Sequence, residues 1–222
     1  MAIKKDIITS AIGILVLVLL LGIAYPLVIT GIGQVAFPGN ANGQQVFVGG
    51  KLVGSKIIGQ NFGNVVINKK TGKVEMQDGN PVTAPDPRYF QTRPSGTVPS
   101  DNAAASAFAN YGPNSKVTEQ AISSNIQSYI ALNGHYYPGG LTAAKIPVDA
   151  ADTSASGIDP DISVANADIQ AYRIAAVDRL PLARVRQLIS SNTAGRGLGF
   201  SGEPSVDVLE LNLAINRATG GR

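Results

Sequence analysis

A long apolar run near the amino end is the clearest feature of the hydrophobic pattern. Residues 7–30 are almost wholly apolar, and no charged residue occurs between Asp6 and Lys51. As a helix this run would span about 36 Å, enough for a hydrocarbon core of about 30 Å. It is longer than the hydrophobic part of a secretory signal, and no clean cleavage site of small residues follows it. We therefore predict an uncleaved transmembrane helix at 7–30 behind a tail of residues 1–6.

The charges on either side of the apolar run predict its orientation. Lys4 and Lys5 precede it, whereas no lysine or arginine follows Thr30 until Lys51. Positive residues beside a membrane helix favour the cytoplasmic side. We therefore expect a single-pass protein with its amino terminus in the cytoplasm and residues 31–222 in an extracytoplasmic domain.

One face of the predicted helix consists of small residues and a proline. Gly22, Pro26, Thr30 and Gly33 follow one another at spacings of four, four and three residues, which places them on one side. Small residues let a second helix approach closely, so this side is a candidate docking face for a membrane partner. Glycine and proline are also frequent in membrane helices without such a role, and this alternative stays open.

Turns, short strands and amphipathic helices alternate in the remainder of the chain. Residues 31–50 are rich in glycine and amides and predict an extended stalk with a short strand at 46–48. The spacing of apolar residues predicts helices further on, one capped by Ser163 and one with Pro181 in its first turn. The sum is a mixed α/β domain on one transmembrane helix. The other predicted elements are strands at 52–58 and 146–148, a hairpin at 64–77, and helices at 122–134, 164–179, 181–191 and 206–215.

Composition excludes several kinds of chemistry. Of the 222 residues none is cysteine and one is histidine, so disulfides, thiolate nucleophiles and paired-histidine metal motifs cannot be built. Lysine and arginine number 18 against 15 acidic residues, and this small, dispersed excess does not indicate nucleic-acid binding. Charged residues make up 15% of the chain, below the share usual in soluble domains.

Three local motifs each have a chemical and a structural interpretation. The glycine-rich loop 195–202 resembles a phosphate loop, but no strand leads into it and its spacing differs, which favours a turn. His135 lies in a Tyr/Pro/Gly loop without a nucleophile motif, which favours a surface residue. Asp159 and Asp161 with nearby hydroxyls suit a cation, although Asx turns and helix capping favour a structural role. We therefore predict no metal site.

The motifs together resemble one family over almost the whole chain. The apolar run ends in Tyr-Pro-Leu-Val-Ile-Thr-Gly at residues 25–31. It is followed, in the order typical of the C subunit of the Kdp-type potassium-transporting ATPase, by Phe-Pro-x-x-Ala-Asn-Gly at 37–43, Ile-Gly-Gln-Asn-Phe at 58–62, Asp-Pro-Arg-Tyr-Phe-x-x-Arg-Pro-Ser at 86–95, Ser-Ala-Ser-Gly-Ile-Asp-Pro at 154–160, Gly-Phe-x-Gly-Glu-Pro at 199–204 and Val-Leu-Glu-Leu-Asn-Leu-Ala at 208–214. Residues 63–85 depart from the family pattern and are interpreted as an inserted hairpin and loop.

The resemblance implies a place in a transporter complex. Such subunits accompany a channel-like potassium-translocating subunit, a P-type ATPase catalytic subunit and a small single-span subunit in the lipid bilayer of the cell (inner) membrane. The complex takes up potassium with high affinity at the expense of ATP. The subunit itself is expected to be non-catalytic, to have no cofactor of its own and no nucleic-acid partner, and to be needed for assembly and activity. ATP and potassium ion would be handled by the complex.

The resemblance also implies a role that conflicts with the predicted orientation. The family is described as a catalytic chaperone that raises the ATP affinity of the ATPase subunit, yet an exterior domain cannot touch cytoplasmic ATP. The alternative is an exterior cap at the ion entrance of the channel-like subunit, without nucleotide contact. A membrane-anchored binding module and an anchored hydrolase are alternatives of another class. The residues expected at an interface or in a structural network are Gln60, Asn61, Phe62, Arg88, Arg93, Ser95, Ser156, Gly157, Asp159, Glu210 and Asn212.

Overall fold

The computed structural model of the chain describes residues 2–77, 79–106, 110–112 and 114–221. Two compact units are present, Met1–Val53 and Gly54–Arg222.

The first unit begins with one continuous run of helical residues. Helix α1 covers Ala2–Leu17, a π-helical stretch covers Val18–Ala24, and α2 covers Tyr25–Ala36. Pro26 has no N–H, and its ring would meet the carbonyl four residues earlier in a regular α-helix. The wider π-helical turns just before the proline relieve this clash, and the N–H that closes them donates to a carbonyl five residues earlier.

This helical run is long and apolar enough to cross a membrane. It has 34 residues from Ile3 to Ala36, a mean hydropathy of 2.9 in its most apolar window, and none of that window is buried within the protein. Exposed apolar side chains in such number fit a bilayer core rather than water. The domain boundaries at residues 6, 7 and 30 concern a bilayer and stay predictions.

The segment after the predicted transmembrane helix is more regular than the sequence analysis expects. The helix continues beyond Thr30 to Ala36, and α3 covers Pro38–Ala41, so the extended stalk from residue 31 is wrong. The helical period of apolar residues persists there, and no proline interrupts the helix before its end. The strand predicted at 46–48 is confirmed as β1, Gln45–Val48, which pairs with β2, Lys51–Ser55.

Residues 63–85, near the start of the second unit, form an antiparallel hairpin with a second, shorter hairpin inserted in its returning arm; it is called the branched hairpin here. The hairpin predicted at 64–77 is confirmed at its turn, where Ile67 pairs with Val74 and Gly72 has a φ of +66°. Glycine adopts this left-handed conformation without a Cβ clash. The strands are β3, Gly63–Val65, paired with β6, Thr83–Pro85, and β4, Met76–Gln77, paired with β5, Asn80–Pro81.

Helices and a small antiparallel sheet make up most of the remaining described residues. Ser163 caps α6 as predicted, because its hydroxyl accepts a hydrogen bond from the N–H of Asn166. The sheet has the strand order β7-β9-β8, so its central strand comes last in the sequence. The elements are α4 (Lys116–Asn133), α5 (Val148–Ala151), β7 (Asp161–Ser163), α6 (Val164–Asp178), α7 (Leu182–Ser191), β8 (Thr193–Ala194), β9 (Ser205–Asp207) and α8 (Val208–Thr219).

Two expected elements differ from the structure. The strand expected at 146–148 is wrong, because a 3-10 turn precedes it and Val148 begins α5. The helix expected from residue 206 begins at Val208, because β9 occupies the preceding three residues. Asp207 is the last residue of β9 and also the N-cap of α8, where its side chain accepts a hydrogen bond from the N–H of Glu210. No turn residue therefore separates the two elements.

The core of the second unit lies where α6, α7 and α8 pack with the small sheet. Ile162 and Val206 contribute from the sheet, and Ile174 and Leu211 from α6 and α8; all four are almost fully buried. Phe90 joins this cluster from a segment without regular secondary structure and is 0% exposed. The predicted mixed α/β fold is confirmed, with one apolar amino-terminal helix that could span a membrane.

Candidate functional site

The backbone around Phe90 is held by side chains rather than by a neighbouring strand. Asn212 of α8 accepts from the N–H of Phe90 at 2.8 Å and donates to its carbonyl at 2.9 Å. Gln170 of α6 pairs in the same way with the next residue, at 2.8 and 3.0 Å. Arg173 donates to two further carbonyls of this segment. These three side chains, here called the polar clamp, provide the hydrogen bonds that a β-strand would otherwise supply.

Arg173 is a fully buried cation at the centre of the polar clamp. Its guanidinium donates to the amide oxygens of Asn133 at 2.9 Å and Gln170 at 2.8 Å. None of the ion pairs among the described residues includes it. Burial lowers the pKa of Arg173 to about 10, and neighbouring phenols and carboxylates oppose this by raising the pKa in part. The cation therefore ties α4, α6 and the segment around Phe90 together through neutral oxygen atoms.

Arg88, one of the predicted interface residues, folds back onto its own loop. Its guanidinium makes two hydrogen bonds to the carboxylate of Asp86, at 3.1 and 2.7 Å, and Asn64 adds a third at 3.0 Å. The Arg88 hydrogen bond, opposed by burial, lowers the pKa of Asp86 to about 2. Beside this pair Phe62 meets the ring of Tyr89 at a centroid distance of 6.0 Å, and Arg88 lies over the same ring.

The predicted residues Arg93, Ser95, Ser156, Gly157 and Asp159 come together. Arg93 donates to Asp159 at 3.3 Å, and it also reaches a carbonyl at 3.0 Å in the loop before Ser156. Ser95 donates to the carbonyl of Gly157 at 2.7 Å. The hydroxyl of Ser156 accepts from a backbone N–H two residues on. These contacts join two loops, and the Nε of Arg93 is buried without a partner among the described atoms.

The neighbouring predicted residues Gln60 and Asn61 have different surroundings. Gln60 and Leu209 both lie against Gly54, where any Cβ on residue 54 would overlap the amide of Gln60. Asn61 donates to the hydroxyl of Thr83 at 2.8 Å and so ties the base of the branched hairpin to the domain. Both amides thus fix how separate segments approach each other.

Glu210 is apart from the loop contacts of Arg93. It pairs with Lys56 at 2.8 Å at the start of α8, where the carboxylate also suits the positive end of the helix dipole. Nearby, Ser205 donates to Asp161 at 2.9 Å across the strand pair. Burial raises the pKa values of Asp161 and of Asp207. The cluster therefore secures the junction between the small sheet and α8.

A cleft with a mixed polar and apolar lining opens beside the contacts of Arg93. It has a volume of about 260 Å³, and its lining includes Asn61, Arg93, Ser95 and Tyr129. Asp101 also lines it with a φ of +55°, and burial raises the pKa of this carboxyl to about 6. The lining thus combines one carboxylate and one guanidinium with neutral hydroxyl, amide and apolar groups.

The Asp-rich loop has the geometry of a turn. One oxygen of Asp159 accepts from the N–H of Asp161 at 3.1 Å, and the other meets Arg93. Across residues 2–77, 79–106, 110–112 and 114–221, no three acidic or histidine side chains converge in a way that could hold a metal ion. The carboxylates of this loop are engaged in shaping it.

Of the three residues of the polar clamp, the sequence predicts Asn212 as a network residue but not Gln170 or Arg173. Asn166, Gln170 and Arg173 recur at spacings of four and three on α6, on a face that also carries buried alanines. That polar stripe on a buried face was the available signal, because buried amides need partners. The backbone partners of Gln170 and Arg173 could not be found from sequence alone, since they lie 79 to 86 residues earlier in the chain.

The fold and its contacts define a class of protein: an α/β domain whose polar side chains bind its own loops, on a chain whose amino-terminal helix is able to cross a membrane. Residues 7–217 match the family model described as K+-transporting ATPase, c chain, and the chain belongs to this family.

Relatives from several bacteria agree with this assignment. A protein of Streptomyces coelicolor is 37% identical over 207 residues, with 91% of this chain and 88% of the relative covered. One from Methylobacterium nodulans is 42% identical over 207 residues, with 92% of each chain covered. One from Koribacter versatilis is 38% identical over 213 residues, covering 96% of this chain and 95% of the relative. All three are called potassium-transporting ATPase KdpC subunit.

Proposed function

We propose that this chain is an accessory subunit of an ATP-driven potassium uptake complex and contributes to its assembly and activity from the exterior. The family match and the relatives named KdpC subunit support the place in a complex. The proposed partners are the channel-like subunit, the P-type ATPase subunit and the small single-span subunit. The apolar helix would anchor the chain beside them in the cell membrane.

The observation that carries this proposal is that polar side chains of the second unit bind backbone atoms of its own loops. Asn212, Gln170 and Arg173 bind backbone atoms of one segment, and Arg93 and Ser95 bind backbone atoms of another. Side chains engaged in this way hold a surface in one shape, whereas a general base or nucleophile must reach a substrate. The arrangement thus supports a role in binding partner subunits rather than in making or breaking bonds.

The exterior position is supported by the charge pattern at the apolar helix. Lys4 and Lys5 lie before it, and the next basic residue is Lys51. In that orientation the second unit would lie on the same side of the membrane as the ion entrance, and the nucleotide on the other. The rise in ATP affinity that the family resemblance implies would then pass indirectly through the partner subunits, and the domain would act as a cap near the ion entrance.

Accessibility of single cysteines tests the orientation, because the chain has no cysteine of its own. Lys69→Cys and Lys116→Cys, both at exposed positions, should react with a membrane-impermeant maleimide in intact cells. Ile3→Cys, exposed before the apolar run, is the matched control and should react only after lysis. The reverse pattern would refute the exterior position while leaving membership of the family untouched.

A further inference from the structure

The branched hairpin between residues 63 and 85 presents an apolar surface to solvent. Val65, Ile67, Val74 and Met76 are 45–59% exposed. Ile67 and Val74 are directly opposite in the antiparallel pair, so their side chains share a face. Val65, the last residue of β3, and Met76, the first of β4, lie two residues from this bridge along the chain. The N–H of Glu75 donates to the carbonyl of Val66 between them, so the two segments stay extended and paired there, and alternation puts Val65 and Met76 on that face too. These four side chains form what is here called the apolar face.

The opposite face of the hairpin carries hydrogen-bonded polar side chains and is attached to the domain at its base. Asn68 donates to Glu75 at 3.3 Å across the turn. Asn64 donates to Asp86 at 3.0 Å at the base. The apolar face is therefore the outer one, and hydrogen bonds at the base hold it in that orientation.

A cluster of positive charge borders the apolar face. Lys69, Lys70 and Lys73 lie in and beside the turn and are exposed, and none of them takes part in an ion pair among the described residues. Glu75 is turned away toward Asn68. An exposed aliphatic surface bordered by free ammonium groups is complementary to a bilayer with anionic headgroups, where lysine stems lie along the apolar region and their charges meet phosphates.

The composition of this surface favours a bilayer over a protein partner. Protein interfaces are enriched in aromatic residues and arginine and depleted in lysine. The apolar face and its turn carry three lysines and neither an aromatic residue nor an arginine. The same chain has a helix able to cross a membrane, so a bilayer surface is present at high effective concentration.

We propose that the hairpin docks on the surface of an anionic bilayer, with the apolar face at the acyl boundary and the three lysines among lipid phosphates. This contact would give the second unit an attachment to the membrane besides the apolar helix. It requires no other subunit and is independent of which side of the membrane the domain occupies.

The full chain in nanodiscs allows a direct test. Ile67→Cys, labelled with an environment-sensitive fluorophore, reports the apolar face, and Gln77→Cys on the opposite face is the matched control. Nanodiscs rich in phosphatidylglycerol, with a fraction of spin-labelled lipid as quencher, should quench the label at position 67 and blue-shift its emission. The label at position 77 should change little, and phosphatidylcholine nanodiscs should abolish the difference.

Removal of the lysine charges completes the test. Changing Lys69, Lys70 and Lys73 to glutamine should lower the ratio of docked to free hairpin about fivefold for each lysine removed. Raising the salt concentration should act in the same direction. Equal quenching at positions 67 and 77, or quenching that ignores both lipid charge and the lysines, would overturn the proposal. Protection of position 67 only after addition of the other subunits would also overturn it, in favour of a protein partner.

Discussion

At the scale of single residues, amide side chains in this protein take the place of a neighbouring strand. Asn212 and Gln170 each pair with both the N–H and the carbonyl of one backbone residue, as an adjacent strand would. The segment around Phe90 can therefore be buried without belonging to a sheet. The cost of losing one such side chain is two buried backbone groups without partners.

Asn212→Ala should lower the free energy of unfolding by about 2–4 kcal/mol, because both groups of Phe90 lose their partner in a buried site. Arg217→Ala, an exposed position on the same helix, should change it by less than about 0.5 kcal/mol. Urea unfolding of the full chain in detergent micelles measures both. Similar values for the two variants would contradict the role given to Asn212.

Asp101 predicts a pH dependence of stability. Burial raises its pKa in the folded state to about 6 from 3.8, so the folded chain binds more protons than the unfolded chain between these values. Stability should therefore fall as pH rises through that interval. Asp101→Asn removes the buried charge and also suits the φ of +55°.

Above pH 6 the Asp101→Asn variant should be more stable than the parent by on the order of 1 kcal/mol, allowing for the solvent that still reaches this half-buried group. Near pH 4 the two proteins should unfold alike, because the parent carboxyl is then protonated in the folded state. Thermal unfolding of both across this range measures the difference. Parallel curves for parent and variant would refute a titrating Asp101.

At the scale of elements, most of the helices are predicted from the spacing of apolar residues along the chain. Helices α6 and α7 lie within one residue of their predicted bounds, because each has a buried stripe and a cap or stop signal. Helix α4 ends next to the predicted stop at Gly134, but it begins at Lys116, six residues before the predicted start, because residues 116–121 are mostly exposed and carry no apolar stripe. The sequence pattern does not separate strand β9 from α8, because Asp207 serves both elements and no turn lies between them. The contacts of the polar clamp depend on distant segments, so local pattern could not reveal them.

The small-residue face of the apolar helix predicts that larger side chains there would prevent a partner helix from packing against it. Pro26 and Thr30 lie in regular α2, while Gly22 lies in the wider π-helical stretch, where an added Cβ meets only Val18 at an ordinary 3.8 Å. A Gly22→Leu, Thr30→Leu variant should therefore insert into the membrane normally and lose the partner helix, because bulk keeps the backbones apart.

Co-purification of the other subunits measures this loss. Gly13→Leu is the matched control, since the helical repeat places Gly13 off that face and nothing lies within 4 Å of its added Cβ. The control should recover the complex in full. Undiminished recovery with the double variant would rule out this docking face.

At the scale of the whole molecule, the proposed exterior position predicts weak or no contact with nucleotide. Calorimetry on the full chain in detergent should show no micromolar binding of ATP, because Arg93 and Arg88 are engaged with Asp159 and Asp86. The matched variants are Arg93→Ala and Arg196→Ala, the latter in an exposed ion pair with Glu203. Micromolar binding that is lost in Arg93→Ala alone, with the fold intact, would favour direct nucleotide contact.

The strand order of the small sheet has a consequence for the order of folding. β9 lies between β7 and β8 yet follows both in the sequence, and Asn212, which completes the polar clamp, lies just beyond it. Neither the sheet nor the segment around Phe90 can close while Ser205 and later residues are still in the ribosome or the translocation channel. The domain should therefore fold late and as one unit, and a chain truncated before Ser205 should be left to proteolysis.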